Sequence, residues 1–244
     1  MKNTLPVVIV AGGLATRMRP MCEKIPKCLI DIHGKPLIEH QLAIFKEQGF
    51  REFIFCVAHL GEKVEDYFGD GSRWGLSIRY SMDGEKLLGT AGAVKSAAKL
   101  LPEHFMVYYG DAISRQNFNN FVNFHFKKKA VVSISLRERP RGYKSSSLIT
   151  LDQDKITHFI EKPSQMIVDQ YEGQTTYINN GIFIVNKSAL KEIPEDWKSD
   201  FSFDLFPRLI AEGKNVCGYV SNDFYVEIGR PEKYKNVLEK NMIQ

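Results

Sequence analysis

Two hydrophobic patterns alternate along the first half of this 244-residue chain. Short apolar runs are typical of buried strands, while apolar positions at three- and four-residue spacing are typical of amphipathic helices. Strands are predicted at 7–10, 53–58, 78–81, 105–109 and 131–136. Helices are predicted between them at 36–48, 62–68, 91–101 and 117–128. This alternation predicts an α/β fold with a mostly parallel sheet and helices on both faces.

The pattern changes after residue 136. Segments 147–151 and 156–160 flank a short Asp-Gln-Asp turn and predict a β-hairpin. Further strands are predicted at 177–185, 216–219 and 224–226, with a helix at 203–212. We find no internal repeat, low-complexity tract or linker, so one domain over residues 1–244 is expected.

Composition excludes several classes of function. Apolar residues make up 43% and charged residues 25% of the chain, which is ordinary for a soluble globular protein. The net charge of +4 is small and evenly spread, so neither nucleic acid nor a membrane is expected as a partner. The four cysteines form no C-x-x-C pair, which argues against a zinc site or disulfides and favours a cytoplasmic location.

The loop after the first strand has the chemistry of a polyphosphate site. Gly12 and Gly13 follow the apolar run, and Arg17 and Lys27 come next along the chain. Glycine lets backbone N–H groups approach phosphate oxygens, and the cations neutralise the phosphate charge. The loop is neither a Walker A motif nor a dinucleotide fingerprint, because the residues that define those motifs are missing.

Ligands of open α/β sheets gather beyond the carboxyl ends of the strands, so the residues at those positions are candidates. Asp111 follows the strand ending at 109, and Glu227 follows the short strand at 224–226. Two carboxylates beside a phosphate site suit Mg²⁺, which completes its coordination with phosphate and water. The alternatives are a turn or capping acid for Asp111 and a surface acid for Glu227.

Six short motifs together resemble the sugar-1-phosphate nucleotidyltransferases. In chain order they are AGGLATRMRP with Pro26-Lys27, LGTAGA at 88–93, Tyr109-Gly110-Asp111, Glu161-Lys162-Pro163, Asn179-Asn180-Gly181 and EIGRPE at 227–232. Segment 69–81 resembles the branch containing N-acetylmuramate-1-phosphate uridylyltransferases and heptose- and mannose-1-phosphate guanylyltransferases. The resemblance implies a Rossmann-like three-layer fold and a Mg²⁺-dependent reaction. In that reaction a nucleoside triphosphate and a sugar 1-phosphate give a nucleoside diphosphate sugar and pyrophosphate.

The resemblance also implies a role for each matching position. Residues 1–115 would bind the nucleotide, and residues 116–244 would bind the sugar phosphate. Arg17 would hold the triphosphate, Lys27 would lie at the α-phosphate, and Asp111 and Glu227 would hold Mg²⁺. The predicted nucleotide contacts are Ala11, Gly12, Gly13, Thr90 and Gly92. The predicted sugar-phosphate contacts are Glu161, Lys162 and Asn179.

The chain departs from the family pattern at three positions. Ala15 replaces the third glycine of the first loop, so a positive φ is not expected there. Tyr109 stands where asparagine is common, and Glu227 stands where most members carry aspartate.

The resemblance favours GTP, then CTP, for the synthesis of a cell-surface polysaccharide precursor, and it is compatible with a homo-oligomer. Two alternatives stay open. One is a CTP-dependent cytidylyltransferase acting on a small phosphorylated alcohol such as phosphocholine. The other is a non-catalytic nucleotide-sugar sensor, for which the glutamate at position 227 is the support.

Overall fold

The computed structural model describes residues 5–83, 87–140, 146–194, 197–240 and 242. The strands are β1 Val7–Val10, β2 Asp31–Ile32, β3 Lys35–Pro36, β4 Glu52–Val57, β5 Ser77–Met82, β6 His104–Tyr109, β7 Ala112–Ser114, β8 Val132–Glu138, β9 Leu148–Asp152, β10 Lys155–Ile160, β11 Tyr177–Asn186, β12 Val216–Val220 and β13 Tyr225–Glu227. The α-helices are α1 Leu37–Glu47, α2 Gly61–Phe68, α3 Gly89–Ser96, α4 Phe118–Lys128, α5 Gln165–Gln170, α6 Phe206–Ala211 and α7 Pro231–Glu239.

Nine strands form one mixed sheet in the order β5-β4-β1-β6-β11-β8-β12-β10-β9. The strands β5, β4, β1 and β6 pair in parallel, whereas β11 runs antiparallel to both of its main neighbours, β6 and β8. The last residue of β1, Val10, lies between Cys56 of β4 and Tyr109 of β6. The carboxyl ends of these parallel strands therefore meet at one edge of the sheet, and the loops that follow them are neighbours.

Both faces of the sheet are covered. Val7, Val8 and Ile9 are fully buried, because successive side chains of β1 point to opposite faces and each face carries a layer of helices. Helices α1, α2 and α4 supply the hydrophobic core on one face, and α3 and α6 supply the core on the other. This three-layer arrangement confirms the predicted Rossmann-like α/β fold.

A smaller hydrophobic cluster brings the first loop against the carboxyl-terminal part of the chain. Met18 of that loop packs with Ile113 of β7, with Ile228 and with Val237 of α7. Strand β13 pairs antiparallel with β7, with Glu227 opposite Ala112. The cluster thereby brings Arg17, Asp111 and Glu227, far apart in sequence, to the same edge of the sheet.

The structure differs from the predicted elements in two ways: it contains short elements that were not predicted, among them β2, β3, β7 and α5, and two predicted helices have other ends. The predicted helix 91–101 begins two residues earlier at Gly89 and continues from Ala97 as a 3₁₀ turn. The predicted helix 203–212 begins with a π-helical turn over Phe201–Leu205 before α6. In both cases the start is set by hydrogen bonds between residues far apart in sequence, described below. No helix in the described ranges is long and apolar enough to span a bilayer.

Candidate active site

Two adjoining cavities form one cleft along the carboxyl edge of the parallel strands. The first cavity, of about 270 Å³, is lined by the loop after β1 together with Lys27 and Gly229. The second cavity, of about 590 Å³, extends toward β11 and the loop after β10. The two cavities share four of their lining residues, which are Arg17, Thr90, Tyr109 and Asp111. A ligand in one cavity would therefore lie next to a ligand in the other.

The loop after β1 is shaped by its small residues. The N–H of Ala11 donates to the Cys56 carbonyl at 2.9 Å, which continues the strand pairing. A Cβ atom at Gly12 would lie 3.1 Å from Ala58 Cβ, so this glycine permits close packing against the next strand end. A Cβ atom at Gly13 would meet nothing within 4 Å. Of these three residues, Ala11 and Gly13 line the first cavity.

The expectation for Ala15 was wrong. This residue adopts a left-handed conformation with φ 48°, in the region that favours glycine. Its carbonyl accepts a hydrogen bond from the N–H of Met18 at 2.8 Å, and Met18 is fully buried. The short helical turn Thr16–Met18 and the burial of Met18 therefore hold the backbone in a conformation that alanine adopts only at a cost.

Lys27 and Asp111 form an ion pair at the floor of the first cavity. Lys27 Nζ lies 2.7 Å from Asp111 Oδ2. The lysine side chain is only 14% exposed, so its ammonium group is held near one position rather than moving freely in solvent. The structure thus brings together a predicted phosphate contact and a predicted metal ligand that are 84 residues apart.

Glu227 forms the second ion pair of the cleft. Its Oε2 accepts a hydrogen bond from Lys233 Nζ of α7 at 2.7 Å. Burial acts to raise the pKa of Glu227, but Lys233, followed by Lys27 and Arg17, outweighs it and lowers the pKa below its ordinary value. The carboxyl is therefore ionised at neutral pH.

The glycine two residues after this acid leaves room for its carboxylate. A Cβ atom at Gly229 would overlap Glu227 Oε1, so a larger residue there would displace the carboxylate from its present position.

The two carboxylates fit a magnesium ion. Asp111 lies directly before β7 and Glu227 ends the adjacent strand β13, and the N–H of Ile228 donates to the Asp111 carbonyl at 2.8 Å. Each carboxylate already binds a lysine ammonium group, which shows that both attract a cation. Within the described ranges no group of three or more His, Cys, Asp or Glu side chains could hold a metal by itself. Two carboxylates with phosphate and water completing the shell is the coordination that Mg²⁺ prefers.

The residues predicted to contact the base lie at the start of α3. Thr90 lines both cavities, and its hydroxyl donates to Asp200 Oδ2 at 2.8 Å. Gly92 is buried, and its N–H donates to the Ser199 carbonyl at 3.1 Å. A Cβ atom at Gly92 would lie 3.0 Å from the Trp197 carbonyl oxygen. Gly92 thus allows the helix to pack closely against residues 197–199. Its contact with a base stays a prediction.

The three predicted sugar-phosphate contacts all line the second cavity. Burial, reinforced by the charge of Asp200, raises the pKa of Glu161 to about 6, although Lys162 opposes the shift. Lys162 has φ 50°, and its Nζ lies 5.3 Å from the centre of the Phe203 ring. An exposed ammonium group next to this acid gives the cavity a place for an anionic group and a place for hydroxyl groups.

Asn179 is held in a bulge of β11. Its side-chain Oδ1 accepts the N–H of Gly181 at 2.7 Å, and its Nδ2 donates to Ser202 Oγ at 3.2 Å. The pairing of β11 with β8 shifts register between Asn179 and Phe183, which marks the bulge. Gly181 has φ 70°, and a Cβ atom there would lie 2.8 Å from the Tyr109 ring. Bulges of this kind re-aim side chains near functional sites.

The sequence reasoning missed several residues that line the second cavity. They are Arg137, Asp200, Ser202, Phe203, Tyr225, Arg230 and Lys233. The guanidinium of Arg137 lies 4.6 Å from the centre of the Tyr225 ring. Lys233 could have been found, because it lies two residues beyond the proline that begins α7 and close in sequence to Glu227. Asp200 belongs to no short motif, and its position in the site depends on a contact with Thr90.

Residues 6–242 match the model of the nucleotidyl transferase family, and the chain belongs to that family. It is 34% identical over 244 residues to UTP–glucose-1-phosphate uridylyltransferase of Synechocystis sp., with 94% of this chain and 61% of that protein covered. It is 28% identical over 237 residues to D-glycero-alpha-D-manno-heptose 1-phosphate guanylyltransferase of Aneurinibacillus thermoaerophilus, with 97% and 98% covered.

A crystal structure of HddC from Yersinia pseudotuberculosis complexed with GMP-PN has the same fold. The TM-score is 0.79 at 25% sequence identity, with 97% of this chain and 99% of that chain covered. The chain spans about three fifths of several relatives, including 63% of mannose-1-phosphate guanylyltransferase of Mycobacterium tuberculosis. It spans nearly the whole length of the heptose-1-phosphate enzyme and of HddC.

Proposed function

We propose that this chain transfers a nucleotidyl group from a nucleoside triphosphate to a sugar 1-phosphate and releases pyrophosphate. The observation that carries the proposal is the two-part cleft, in which a cavity lined by Arg17, Lys27 and Asp111 opens into one lined by Glu161 and Lys162. The first cavity suits a triphosphate, and the second suits an acceptor that has both an anionic group and hydroxyl groups. Family membership supports the same reaction.

The reaction needs charge neutralisation more than proton transfer. An oxygen of the sugar phosphate attacks the α-phosphorus, the bond from that phosphorus to the β-phosphate oxygen breaks, and pyrophosphate leaves. Negative charge at the α-phosphate is greatest in the transition state, where the Lys27 ammonium group would stabilise it. Arg17 would hold the departing phosphates. A phosphate monoester is largely ionised at pH 7, so the acceptor needs no general base.

Asp111 and Glu227 would hold Mg²⁺ between them. When bound, the ion supplies positive charge beside the phosphates and helps to orient them. Lys233 lowers the pKa of Glu227, and Lys27 forms an ion pair with Asp111. With a divalent cation on Asp111, the Lys27 ammonium group would be free to contact phosphate.

GTP is our first choice of nucleotide and CTP our second. Two relatives are named as guanylyltransferases of mannose 1-phosphate and of a heptose 1-phosphate, which supports GTP, while the Synechocystis relative is named as a uridylyltransferase of glucose 1-phosphate. We propose a hexose or heptose 1-phosphate as acceptor. The product would serve as a precursor of a cell-surface polysaccharide.

A pyrophosphate-release screen tests the proposal. GTP, CTP, UTP, dTTP and ATP are each combined with glucose, mannose and heptose 1-phosphates, and with phosphocholine, in the presence and absence of Mg²⁺. We expect release only when a sugar 1-phosphate and Mg²⁺ are both present, with GTP giving the highest rate. Turnover with phosphocholine that equals or exceeds turnover with every sugar phosphate tested would favour the cytidylyltransferase alternative. Nucleotide binding without release in any combination would favour the sensor alternative.

A further inference from the structure

Residues 199–203 form a segment that touches both parts of the cleft, and we call it the bridging segment. It lies between the start of α3, where Thr90 and Gly92 are found, and the bulge of β11 at Asn179. It has no counterpart among the six sequence motifs that indicate the family.

On the nucleotide side, the bridging segment holds the start of α3. The Ser199 carbonyl accepts hydrogen bonds from the N–H groups of Ala91 at 3.0 Å and Gly92 at 3.1 Å. A Cβ atom at Gly89, which has φ 75°, would overlap that same carbonyl oxygen. The start of α3 therefore cannot move without moving residue 199.

Asp200 makes the next connection through both carboxylate oxygens. Its Oδ2 accepts the Thr90 hydroxyl at 2.8 Å, and its Oδ1 accepts the N–H groups of Ser202 at 2.8 Å and Phe203 at 3.3 Å. The Thr90 hydroxyl also accepts the N–H of Phe201 at 3.1 Å. One side chain thus caps the π-helical turn and fixes the orientation of Thr90.

On the acceptor side, the next two residues contact the predicted sugar-phosphate residues. Ser202 Oγ accepts the amide of Asn179, and the Phe203 ring lies 5.3 Å from Lys162 Nζ. The charge of Asp200 also contributes to the raised pKa of Glu161, so this acid lies within electrostatic reach. All three predicted acceptor contacts are therefore linked to the bridging segment.

We propose that Asp200 is a positioning residue that serves both substrates of the proposed transferase, on which this inference rests. It orients Thr90 toward the nucleotide and, through Ser202 and Phe203, holds Asn179 and Lys162 in place for the acceptor. Because the same side chain orders both parts of the cleft, each substrate strengthens the binding of the other. Such coupling is reciprocal by thermodynamic necessity.

Two substitutions separate positioning from helix capping. Asp200→Ser retains a good N-cap oxygen, but its side chain is too short to reach Thr90. Asp200→Asn retains the N-cap oxygen and is long enough to form a hydrogen bond with Thr90. Asp204→Asn is the matched control, because Asp204 Oδ2 accepts the N–H of Asp200 at 2.7 Å in the same turn without contacting Thr90. Thermal unfolding reports the stability of each variant. Initial rates with both substrates varied report KM for each substrate and the effect of one on the other.

With the best substrate pair from the screen, Asp200→Ser should raise both KM values about 10-fold, within the usual range of coupling between sites. Asp200→Asn should restore both values to within about 3-fold, and Asp204→Asn should leave them near wild type. Thr90→Val, which keeps the side-chain shape but loses the hydroxyl, should raise KM for the acceptor as well as for the nucleotide. This last variant tests the link even if Asp200→Ser fails to fold.

An active wild type whose Asp200→Ser and Thr90→Val variants keep the acceptor KM would overturn this proposal alone. An Asp204→Asn variant with the same defects as Asp200→Ser would also overturn it, because the role would then be helix capping. A wild type that releases no pyrophosphate with any pair would overturn the proposed function, and this inference with it.

Discussion

Two half-buried glutamates that both line the second cavity have opposite electrostatic surroundings. Glu227, beside the first loop, has its pKa lowered because Lys233, Lys27 and Arg17 outweigh the effect of burial. Glu161, directly after β10, has its pKa raised to about 6 by burial and by Asp200, with Lys162 opposing. The part of the cleft beside the first loop is therefore built around paired charges, and the part beside Glu161 around acids that lack such compensation.

This difference matches the chemistry proposed for each side. Paired charges can be exchanged for a magnesium ion and phosphates, since each lysine and each carboxylate gains a new partner of opposite charge. Acids without strong cationic partners are suited to accepting hydrogen bonds from the hydroxyl groups of an uncharged sugar ring. The contrast teaches that one cleft can offer two distinct subsites through local charge balance alone, and the following predictions test it.

The largest effect is expected from Asp111→Asn. The change removes both the partner of Lys27 and a predicted metal ligand, so turnover should fall by roughly 10³-fold or more. Pyrophosphate release measures the loss, with thermal unfolding as the check on folding. Asp152→Asn, an exposed residue of the hairpin, is the control and should be neutral. An Asp111→Asn enzyme that kept a tenth of its activity would contradict the assigned role.

Loss of Lys27 should act mainly on kcat. In the proposed function its ammonium group lies where charge develops in the transition state, so Lys27→Ala should lower kcat by roughly 10²- to 10³-fold. Lys24→Ala, an exposed lysine of the same loop, is the matched control. A Lys27→Ala enzyme with a normal kcat and a raised KM for the triphosphate would mean that Lys27 contributes ground-state binding instead.

Glu227→Gln should weaken activity by about 10-fold and raise the Mg²⁺ concentration needed for half-maximal rate, because one of two anionic ligands becomes neutral. Binding of Mn²⁺, followed by electron paramagnetic resonance, gives a readout independent of turnover. Glu227→Asp is informative, since it keeps the carboxylate but shortens the side chain by one methylene group. An unchanged Mg²⁺ requirement and Mn²⁺ affinity in Glu227→Gln would show that this acid is not a ligand.

The smallest effect compares the two glutamates directly through stability at pH 7. The lowered pKa of Glu227 means that its charge stabilises the fold above its ordinary pKa and that this contribution is lost as pH falls. The raised pKa of Glu161 means that the fold favours its protonated form, so stability is lost as pH rises through about 6. Glu227→Gln should therefore lower Tm, and Glu161→Gln should raise it, each by about 2–4 °C. Changes of the same sign would refute the contrast.

The part of the site nearest the first loop could be predicted from sequence because its signals are local. The apolar run of β1, the glycines after it and the following cations are contiguous, and the structure places Arg17 and Lys27 along the same cavity. The strand-end rule also indicated Asp111, because the parallel strands share one edge. Glu227 reaches the same edge by a different route, since β13 pairs antiparallel with β7 in a separate two-stranded sheet. The positions of Arg17, Lys27 and Asp111 follow from short-range patterns and from a general property of the fold.

The other part could not be predicted in the same way. Asp200 is placed by a hydrogen bond to Thr90, a residue 110 positions away, and no periodicity or motif encodes that contact. The left-handed conformation of Ala15 was likewise missed, because it is imposed by the burial of Met18 and not by the preference of alanine. Tertiary contacts determine both features, and a single sequence does not display them.

Steady-state kinetics of Lys162→Ala, with each substrate varied in turn, tests the central claim that the cleft has separate triphosphate and acceptor subsites. Lys162 would hold the attacking phosphate in the ground state as well as in the transition state. We predict that KM for the sugar phosphate rises about 10- to 100-fold, as expected for loss of a charged hydrogen bond, and more than kcat falls. KM for the triphosphate should stay near its wild-type value. A defect confined to triphosphate binding would contradict the assignment of the second cavity to the acceptor.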